Sequence, residues 1–371
     1  MTSGLRLRAR PLAVPFSRPI ASPIYRFTHL FTLLCEAEDA AGVTGLGALW
    51  FPSDAQARIV LQALRWLAPT AARHTDPGDL CAALRNEINF LGYKGVSVMA
   101  MSGFELALQD LRRRAAHVAS KETSSPMKVP AYWSGFFLND SLDAWLTEAQ
   151  LAAGLGFQAF KARLGQQNLS DDVHRVARLR EALPPDASLM LDAHQSWDVA
   201  TALNASRQLE PFQITWLEDP LIHNDYVGLS QVVRSSPIPI ASGENEYLHE
   251  GFEQLLDTGL SYLLVDLERA GGILEWDRIA ETAQSRGVVI TPHLYPHVAL
   301  QLCGALTQSE RWIEYVDWWD PLMAAPIEFV DGQAVVADTQ GLGFDVNNDA
   351  VERFALADWE ELHDARHQHT N

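Results

Sequence analysis

From Val129 onward, short β-rich runs alternate with helical stretches at a nearly constant pitch, and nothing else in the sequence constrains the fold as strongly. The runs are VPAYWS, FQAFKAR, SLMLDAH, ITWLEDP, PIASGE, YLLVDLE, VVITPH and WIEYV, eight in all. Helical periodicity fills intervals such as Asp172 to Leu183, Val199 to Leu209 and Trp276 to Arg286. Alternation sustained over eight strands predicts an α/β chain with a parallel (β/α) barrel. An open doubly wound sheet is the alternative, but it needs no closure and suits fewer strands.

The first third reads differently. Leu5, Leu7 and Ala9 alternate with Arg6, Arg8 and Arg10, which predicts a half-buried strand. The same Arg-rich start, free of acids before Glu36, also has the composition of an organellar transit peptide, but the alternation favours the strand. A Pro-rich loop (Pro11, Pro15, Pro19, Pro23) is expected next, then an apolar run from Phe27 to Cys35 and a Gly-punctuated segment from Gly42 to Trp50. Ala55 to Trp66, Leu80 to Leu91 and Ser102 to His117 carry apolar residues at helical spacing. The expected organisation is an α+β domain over residues 1–125, a barrel over 126–325, and a segment of short strands and turns over 326–371 that packs back on the first domain.

Charge and cysteine content exclude several classes. Lysine and arginine number 28 against 47 acids, a net charge of −19, so no general field attracts nucleic acid or anionic membrane. A local cation can still reverse the sign inside one pocket. The longest stretch without Asp, Glu, Lys or Arg, Gly287 to Ser309, contains Pro292, His293, Pro296 and His297 and does not read as a lipid-exposed helix. Cys35, Cys81 and Cys303 are too few for a disulfide scaffold or a four-cysteine zinc site and fit a reducing cytoplasm. No P-loop, dinucleotide fingerprint, HExxH or nucleophile elbow is present.

The polar residues concentrate at the ends of the predicted strands, where barrels place their active sites. Strands three, four and five end in Asp192, Glu218 and Glu244, each 26 residues from the last. Three such carboxylates in one bowl repel one another and need a counter-charge. A hard divalent cation such as Mg2+ supplies it; pairing of each acid with a barrel Lys or Arg is the alternative. Strand two carries Lys161 and Arg163 on one face, as proton-transfer groups or as structural counter-charges. Asp266 on strand six neighbours His293 on strand seven and could hold its imidazole in one tautomer. Glu314 on strand eight is a hydrogen-bond donor if its proton is retained, otherwise a structural acid. Together these groups suit removal of the proton α to a carboxylate whose enediolate the cation stabilises.

These residues carry a resemblance. The runs SGLRLRARPLAVPF, GFQAFKARLG, LDAHQSWDV, WLEDP, SGEN, VDLERAGG, ITPHLYPH, WIEYVD and GLGFD, in this order, resemble the mandelate racemase group of the enolase superfamily. The resemblance implies a modified (β/α)7β barrel with an α+β capping domain completed by the C-terminal segment. It implies one Mg2+ held by Asp192, Glu218 and Glu244, a His293–Asp266 dyad, and Glu314 donating a hydrogen bond to the substrate carboxylate. It also implies that Ser134 binds substrate, that the loop from Pro15 to Tyr25 with Trp50 forms a specificity flap, and that the chain is a homo-oligomer, often an octamer.

Two departures from the group's pattern bear on the reaction. Where the group has Lys-x-Lys, the second position is Arg163, which keeps its proton and makes a poor base. That weakens a two-base racemase and favours dehydration of an acid sugar, with His293 as base and then as acid to the leaving hydroxyl. Where the group commonly has Asn, this chain has His194, a candidate for binding a substrate hydroxyl, for serving as a second acid to the leaving group, or for supporting the metal site. A racemase, epimerase or cycloisomerase is the second expectation, and an inactive barrel serving as a binding protein the third. His297 is expected on the pocket rim or in solvent, and Trp318 and Trp319 as an apolar wall or as core.

Overall fold

The computed structural model describes residues 4–21, 25–120, 127–166, 168–306, 312–336 and 340–366. It opens with a long antiparallel hairpin, β1 (Arg6–Ala21) and β2 (Arg26–Glu38), with β3 (Thr44–Phe51) on the far edge of β2. Three helices follow: α1 (Asp54–Ala71), α2 (Pro77–Ile88) and α3 (Val96–Ser120). The first two start at side-chain caps, Ser53 and Asp76, and α2 has Pro77 at its first position. Helix α3 lies so close to β3 that a Cβ on Gly45 would sit 2.1 Å from the Leu111 nitrogen. The apolar face of the sheet and the helices share one core, including Leu7, Leu33, Leu64, Leu84 and Leu108.

The Pro-rich segment is not a loop, as expected from its prolines, but the second half of β1. Pro11 and Pro15 pair with Leu33 and His29, and the register slips only between Pro15 and Ile20. Pro11 and Pro15 are four residues apart and so face the same way. The Pro11 carbonyl accepts from the Leu356 N–H, away from β2, so the missing N–H groups lie on that side and cost the β1–β2 ladder nothing. Pro23 lies outside the described residues.

The eight predicted runs become eight strands. In order they are β4 (Met127–Ser134), α4 (Leu142–Gly154), β5 (Ala159–Arg163), α5 (Leu169–Ala182), β6 (Ser188–Asp192), α6 (Val199–Leu209), β7 (Ile214–Glu218), α7 (Tyr226–Ser235), β8 (Ile240–Ser242), α8 (Leu248–Leu256), β9 (Tyr262–Asp266), the short α9 (Leu267–Ala270), α10 (Ile273–Ser285), β10 (Val289–His293), α11 (Pro296–Ala305) and β11 (Ile313–Tyr315). Strands β4 to β10 are parallel neighbours in chain order, and β11 pairs back onto β4. No helix follows β11 before the chain leaves the barrel, so the architecture is (β/α)7β.

The segment beyond Pro326 divides rather than packing wholly on the first domain. Strands β12 (Glu328–Val330) and β13 (Gln333–Val336) form a hairpin whose second strand lies antiparallel on the start of β4. Its turn, Asp331–Gly332, has positive φ at both residues, as a two-residue hairpin turn requires. Helix α12 (Asn348–Phe354) then returns the chain to β14 (Glu360–Asp364), which adds an antiparallel edge to β1.

Candidate active site

Strand periodicity sets the site one layer above an apolar floor. Tyr132, Ala159, Met190, Trp216 and Leu264 pack together inside the barrel, with the Tyr132 and Trp216 rings 5.6 Å apart. Two residues further along each strand, and so on the same inward face, stand Ser134, Lys161, Asp192, Glu218 and Asp266. The chain then turns sharply. His194, Gln195, Asp219, Leu294 and Tyr295 all adopt positive φ directly after strand ends. Gly243 does so at +137°, where a Cβ would meet the Leu264 carbonyl at 2.4 Å, and it delivers Glu244 beyond the end of β8. Left-handed conformations at non-glycine residues cost about 1–3 kcal/mol each and concentrate at functional sites.

Lys161 is the electrostatic hub. Its Nζ donates to both Glu218 oxygens at 2.8 and 3.0 Å and lies 2.9 Å from Glu314 Oε1. Burial opposes its charge, but Glu218 and Glu314 raise its pKa well above the ordinary lysine value. Glu314 also accepts from Ser134 Oγ at 2.5 Å and from the Leu294 N–H at 3.0 Å. Burial pushes its carboxyl up, yet Lys161, His293 and Arg163 outweigh that and draw it down to about 2. Arg163 donates to the Gly135 carbonyl at 2.8 Å and lies 4.9 Å from the centre of the Phe137 ring.

His293 sits between two acids. Its Nδ1 is 2.8 Å from Asp266 Oδ2, and its Nε2 is 3.1 Å from Glu244 Oε2. Asp266 is fixed by the N–H groups of Glu268 and Arg269, by the Arg269 guanidinium at 3.3 Å and by Trp50 Nε1 at 3.5 Å. Burial disfavours the imidazolium, but Glu244 and Asp266 raise its pKa well above the usual histidine value. The same contact holds Glu244 below the usual carboxylate range against the effect of burial.

The remaining acids are short of positive charge. Burial, reinforced by Glu244, pushes Asp192 up to about 6, and burial with Asp192 and Glu314 pushes Glu218 up to about 7. Asp219 accepts from Ser242 Oγ at 2.5 Å through one oxygen and leaves the other buried without a hydrogen bond. His194 donates its backbone N–H to Asp192 at 2.9 Å, and burial brings its ring down to about 4.

A cavity of about 630 Å³ opens over this layer, lined by the barrel mouth and by the first domain. Lys161, Arg163, Asp192, His194, Glu244, His293 and Glu314 face it, as do Tyr25 and Trp50. Glu218 is covered by Lys161, and Asp266 stands behind His293.

With this geometry, a family model described as enolase C-terminal domain-like matches residues 144–350. L-talarate/galactarate dehydratase of Salmonella typhimurium is 33% identical over 264 residues, which cover 70% of this chain and 66% of that protein. D-galactarolactone cycloisomerase of Agrobacterium fabrum is 30% identical, with 92% of this chain and 95% of that protein covered. The chain belongs to the enolase superfamily. Solved superfamily structures superpose over nearly all of it. An enolase from alpha pretobacterium bal199 with bound Mg gives a TM-score of 0.89 at 28% identity, covering 96% of this chain and 100% of that one. L-talarate dehydratase from Polaromonas sp. JS666, complexed with Mg and L-glucarate, gives 0.85 at 27% identity, covering 97% and 99%.

Against the superfamily pattern, several sequence expectations change. Ser134 does not face the cavity; its hydroxyl is spent on Glu314, and it lines a neighbouring cavity beside Phe137. Glu314 accepts from Ser134 and the Leu294 N–H and lies against Lys161, contacts that suit the structural acid more than the donor. His297 is neither on the rim nor in solvent: it is buried on α11 and lines a separate cavity with Met323 and Pro326. Trp318 lines the main cavity, 6.2 Å from the Trp50 ring, whereas Trp319 packs on Tyr295 in the core. The segment expected as a flap belongs to the β1–β2 hairpin, and Tyr25 at its described end lines the cavity.

Asp219 and Arg269 were not legible as site residues. Strand alternation turns Asp219 away from the face of Glu218, and only its left-handed φ of 39° lets it rejoin the acids. Arg269 stands on α9, a helix of one turn whose cap is Asp266 itself.

The donor set of Asp192, Glu218 and Glu244 suits a hard cation: oxygen only, buried, and richer in negative charge than Lys161 can balance. Among the described residues no three such groups converge into a metal cluster as they stand. Glu218 is turned to Lys161 and Glu244 to His293.

Proposed function

We propose that the chain is a Mg2+-dependent acid-sugar dehydratase, which removes the proton α to a carboxylate, expels the β-hydroxyl and releases a 2-keto-3-deoxy acid after tautomerisation. The observation that carries this reading is the His293–Asp266 pair, 2.8 Å apart, facing a carboxylate cluster across one cavity. Asp192, Glu218 and Glu244 would hold the cation, which supplies positive charge to the substrate carboxylate and to the developing enediolate.

The chain's own groups divide the remaining work. Asp266 accepts from Nδ1 and leaves Nε2 as the proton-transfer atom. Contact with Glu244 and Asp266 favours the protonated ring. With Glu244 among the residues that would hold the cation, Nε2 would be free of that acid and available as the base. The proton it gains then goes to the departing β-hydroxyl. Arg163, charged at any working pH, holds the carboxylate. Lys161 would keep Glu314, 2.9 Å away, as its partner with Glu218 on the cation, and so would stabilise negative charge rather than act as a second base. That difference favours dehydration over racemisation. Relatives named talarate/galactarate, arabinonate and L-rhamnonate dehydratase support the same class.

A Mg2+-dependent keto-acid product, abolished in His293→Asn, is the expected result. Undiminished activity in that variant, or after chelation of Mg2+, would overturn the reading. A homo-oligomer in the cytoplasm belongs to the same proposal and is checked by light scattering and cell fractionation. Among the described residues no helix is long and apolar enough to cross a membrane.

A further inference from the structure

The cavity is asymmetric. Among the described residues, the lysines and arginines that line it all lie on the barrel side: Lys161 and Arg163 on a strand end, and Arg269 on α9. All three are engaged. Lys161 is on Glu218 and Glu314, Arg163 on the Gly135 carbonyl, and Arg269 on Asp266 and the Glu244 carbonyl at 3.2 Å. The opposite wall comes from β2, β3, α1 and the start of α3, and it is apolar. Phe27, Trp50, Ile59, Val96 and Met99 face the cavity there, and Trp318 joins them from beyond β11. The rings of Phe27, Trp50 and Trp318 form a triangle with centroids 6.2 to 6.5 Å apart. Tyr25 and Gln56 are the polar side chains that this wall contributes, and Gln195, His223, Asn245 and Tyr247 line the rim from the barrel side. Lys94, next to the lining residue Gly95, is held by Glu246 at 2.7 Å. Ser22, Pro23 and Ile24, outside the described residues, carry no charge.

We infer that the substrate is a sugar monoacid whose far end is uncharged and apolar, a methyl-terminated deoxy acid, rather than a diacid. This rests on the dehydratase reading and narrows it. One carboxylate of any substrate is accounted for by the barrel side, through the proposed cation and Arg163. A second carboxylate at the far end would leave water for a wall of mainly rings and aliphatic side chains, to which the described residues of the first domain contribute no lysine or arginine. An uncompensated charge there is strongly unfavourable. A terminal methyl meets the aromatic triangle instead and gains from leaving water. A terminal hydroxyl stands between the two, because the wall carries the polar groups of Tyr25 and Gln56.

The test is a series of one configuration that differs only at the terminal carbon: the deoxyhexonate (methyl), the hexonate (hydroxymethyl) and the hexarate (carboxylate), each assayed with Mg2+. The expected order of kcat/KM is methyl, then hydroxymethyl, then carboxylate, with at least about a hundredfold between the first and the last. A second arm places a cation on the wall with Met99→Lys, which should narrow the gap between hexarate and deoxyhexonate by about tenfold or more. A hexarate turned over as well as the deoxyhexonate by the unaltered chain would overturn the inference and leave the dehydratase reading intact. Absence of both turnover and α-proton exchange across several configurations would overturn the dehydratase reading instead. Titration calorimetry with Mg2+ then still decides the inference: hexarate binding as tightly as deoxyhexonate refutes it, and weaker hexarate binding supports it.

Discussion

Glu105 on α3 offers a test of how the first domain is held over the barrel. The residue is fully buried, and its two oxygens accept the N–H groups of Ile273 and Leu274, at 2.7 and 3.2 Å, at the start of α10. Gln109 donates to it at 2.8 Å. Gly272 makes the approach possible, since a Cβ there would lie 2.1 Å from the Glu105 carboxylate. Burial outweighs these donors and pushes the carboxyl up from 4.5 to about 7. A carboxyl whose folded-state pKa is raised binds its proton more tightly in the folded chain. Its contribution is therefore fully present below about pH 4.5 and is lost as pH rises towards 7. At 1.36 kcal/mol per unit, the loss is about 3 kcal/mol, a large part of the usual stability margin of a folded chain. Glu105→Gln keeps the shape of the protonated acid and cannot ionise. Its amide nitrogen cannot accept a hydrogen bond as the carboxyl oxygen does, which costs a pH-independent amount. In urea unfolding, the stability of the variant relative to the original chain should rise by about 3 kcal/mol between pH 4 and pH 8. A constant difference across this range would refute the reasoning, because it would mean that the two N–H groups and the helix start keep Glu105 ionised throughout.

Other expectations follow from the same contacts. Lys161→Met leaves Glu218 and Glu314 buried without their ammonium and should cost about 3–5 kcal/mol in urea unfolding at pH 8; an unchanged midpoint would show that the ammonium is not their main counter-charge. Arg18 pairs with Asp140 and Glu148, and Asn139 bonds the Ala21 N–H and the Pro19 carbonyl, so the hairpin is latched to the loop after β4. Arg18→Ala should raise KM several-fold with little change in kcat, and a fall in kcat at constant KM would contradict a latch. Asp266→Asn removes the acceptor that orients His293 and should lower kcat by about 10²–10⁴-fold.

The barrel was legible because period and pitch are properties of the chain itself. All eight runs became strands, and Asp192, Glu218, Asp266 and His293 end theirs. The same period placed Lys161 with the carboxylates, since Ala159 two residues earlier lies in the apolar floor. What failed to show depends on where neighbours lie. Nothing local in Glu314 says that Lys161, Ser134 and a backbone N–H converge on it. The prolines of β1 read as a loop because their tolerance depends on an edge that exists only after the sheet forms. His297 follows His293 by four residues, but α11 begins between them and carries it out of the cavity.

The central claim is that His293 and a cation held by Asp192, Glu218 and Glu244 together dehydrate a sugar acid. The most direct measurement incubates the chain with Mg2+ and a panel of sugar acids in D2O, read by a keto-acid colour assay and by proton NMR. The account predicts a keto acid from one stereochemical group, lost in His293→Asn and on chelation of the metal. Keto acid formed equally well without His293 or without Mg2+ would contradict it, and deuterium entering the α-position with no keto acid would mean epimerisation instead.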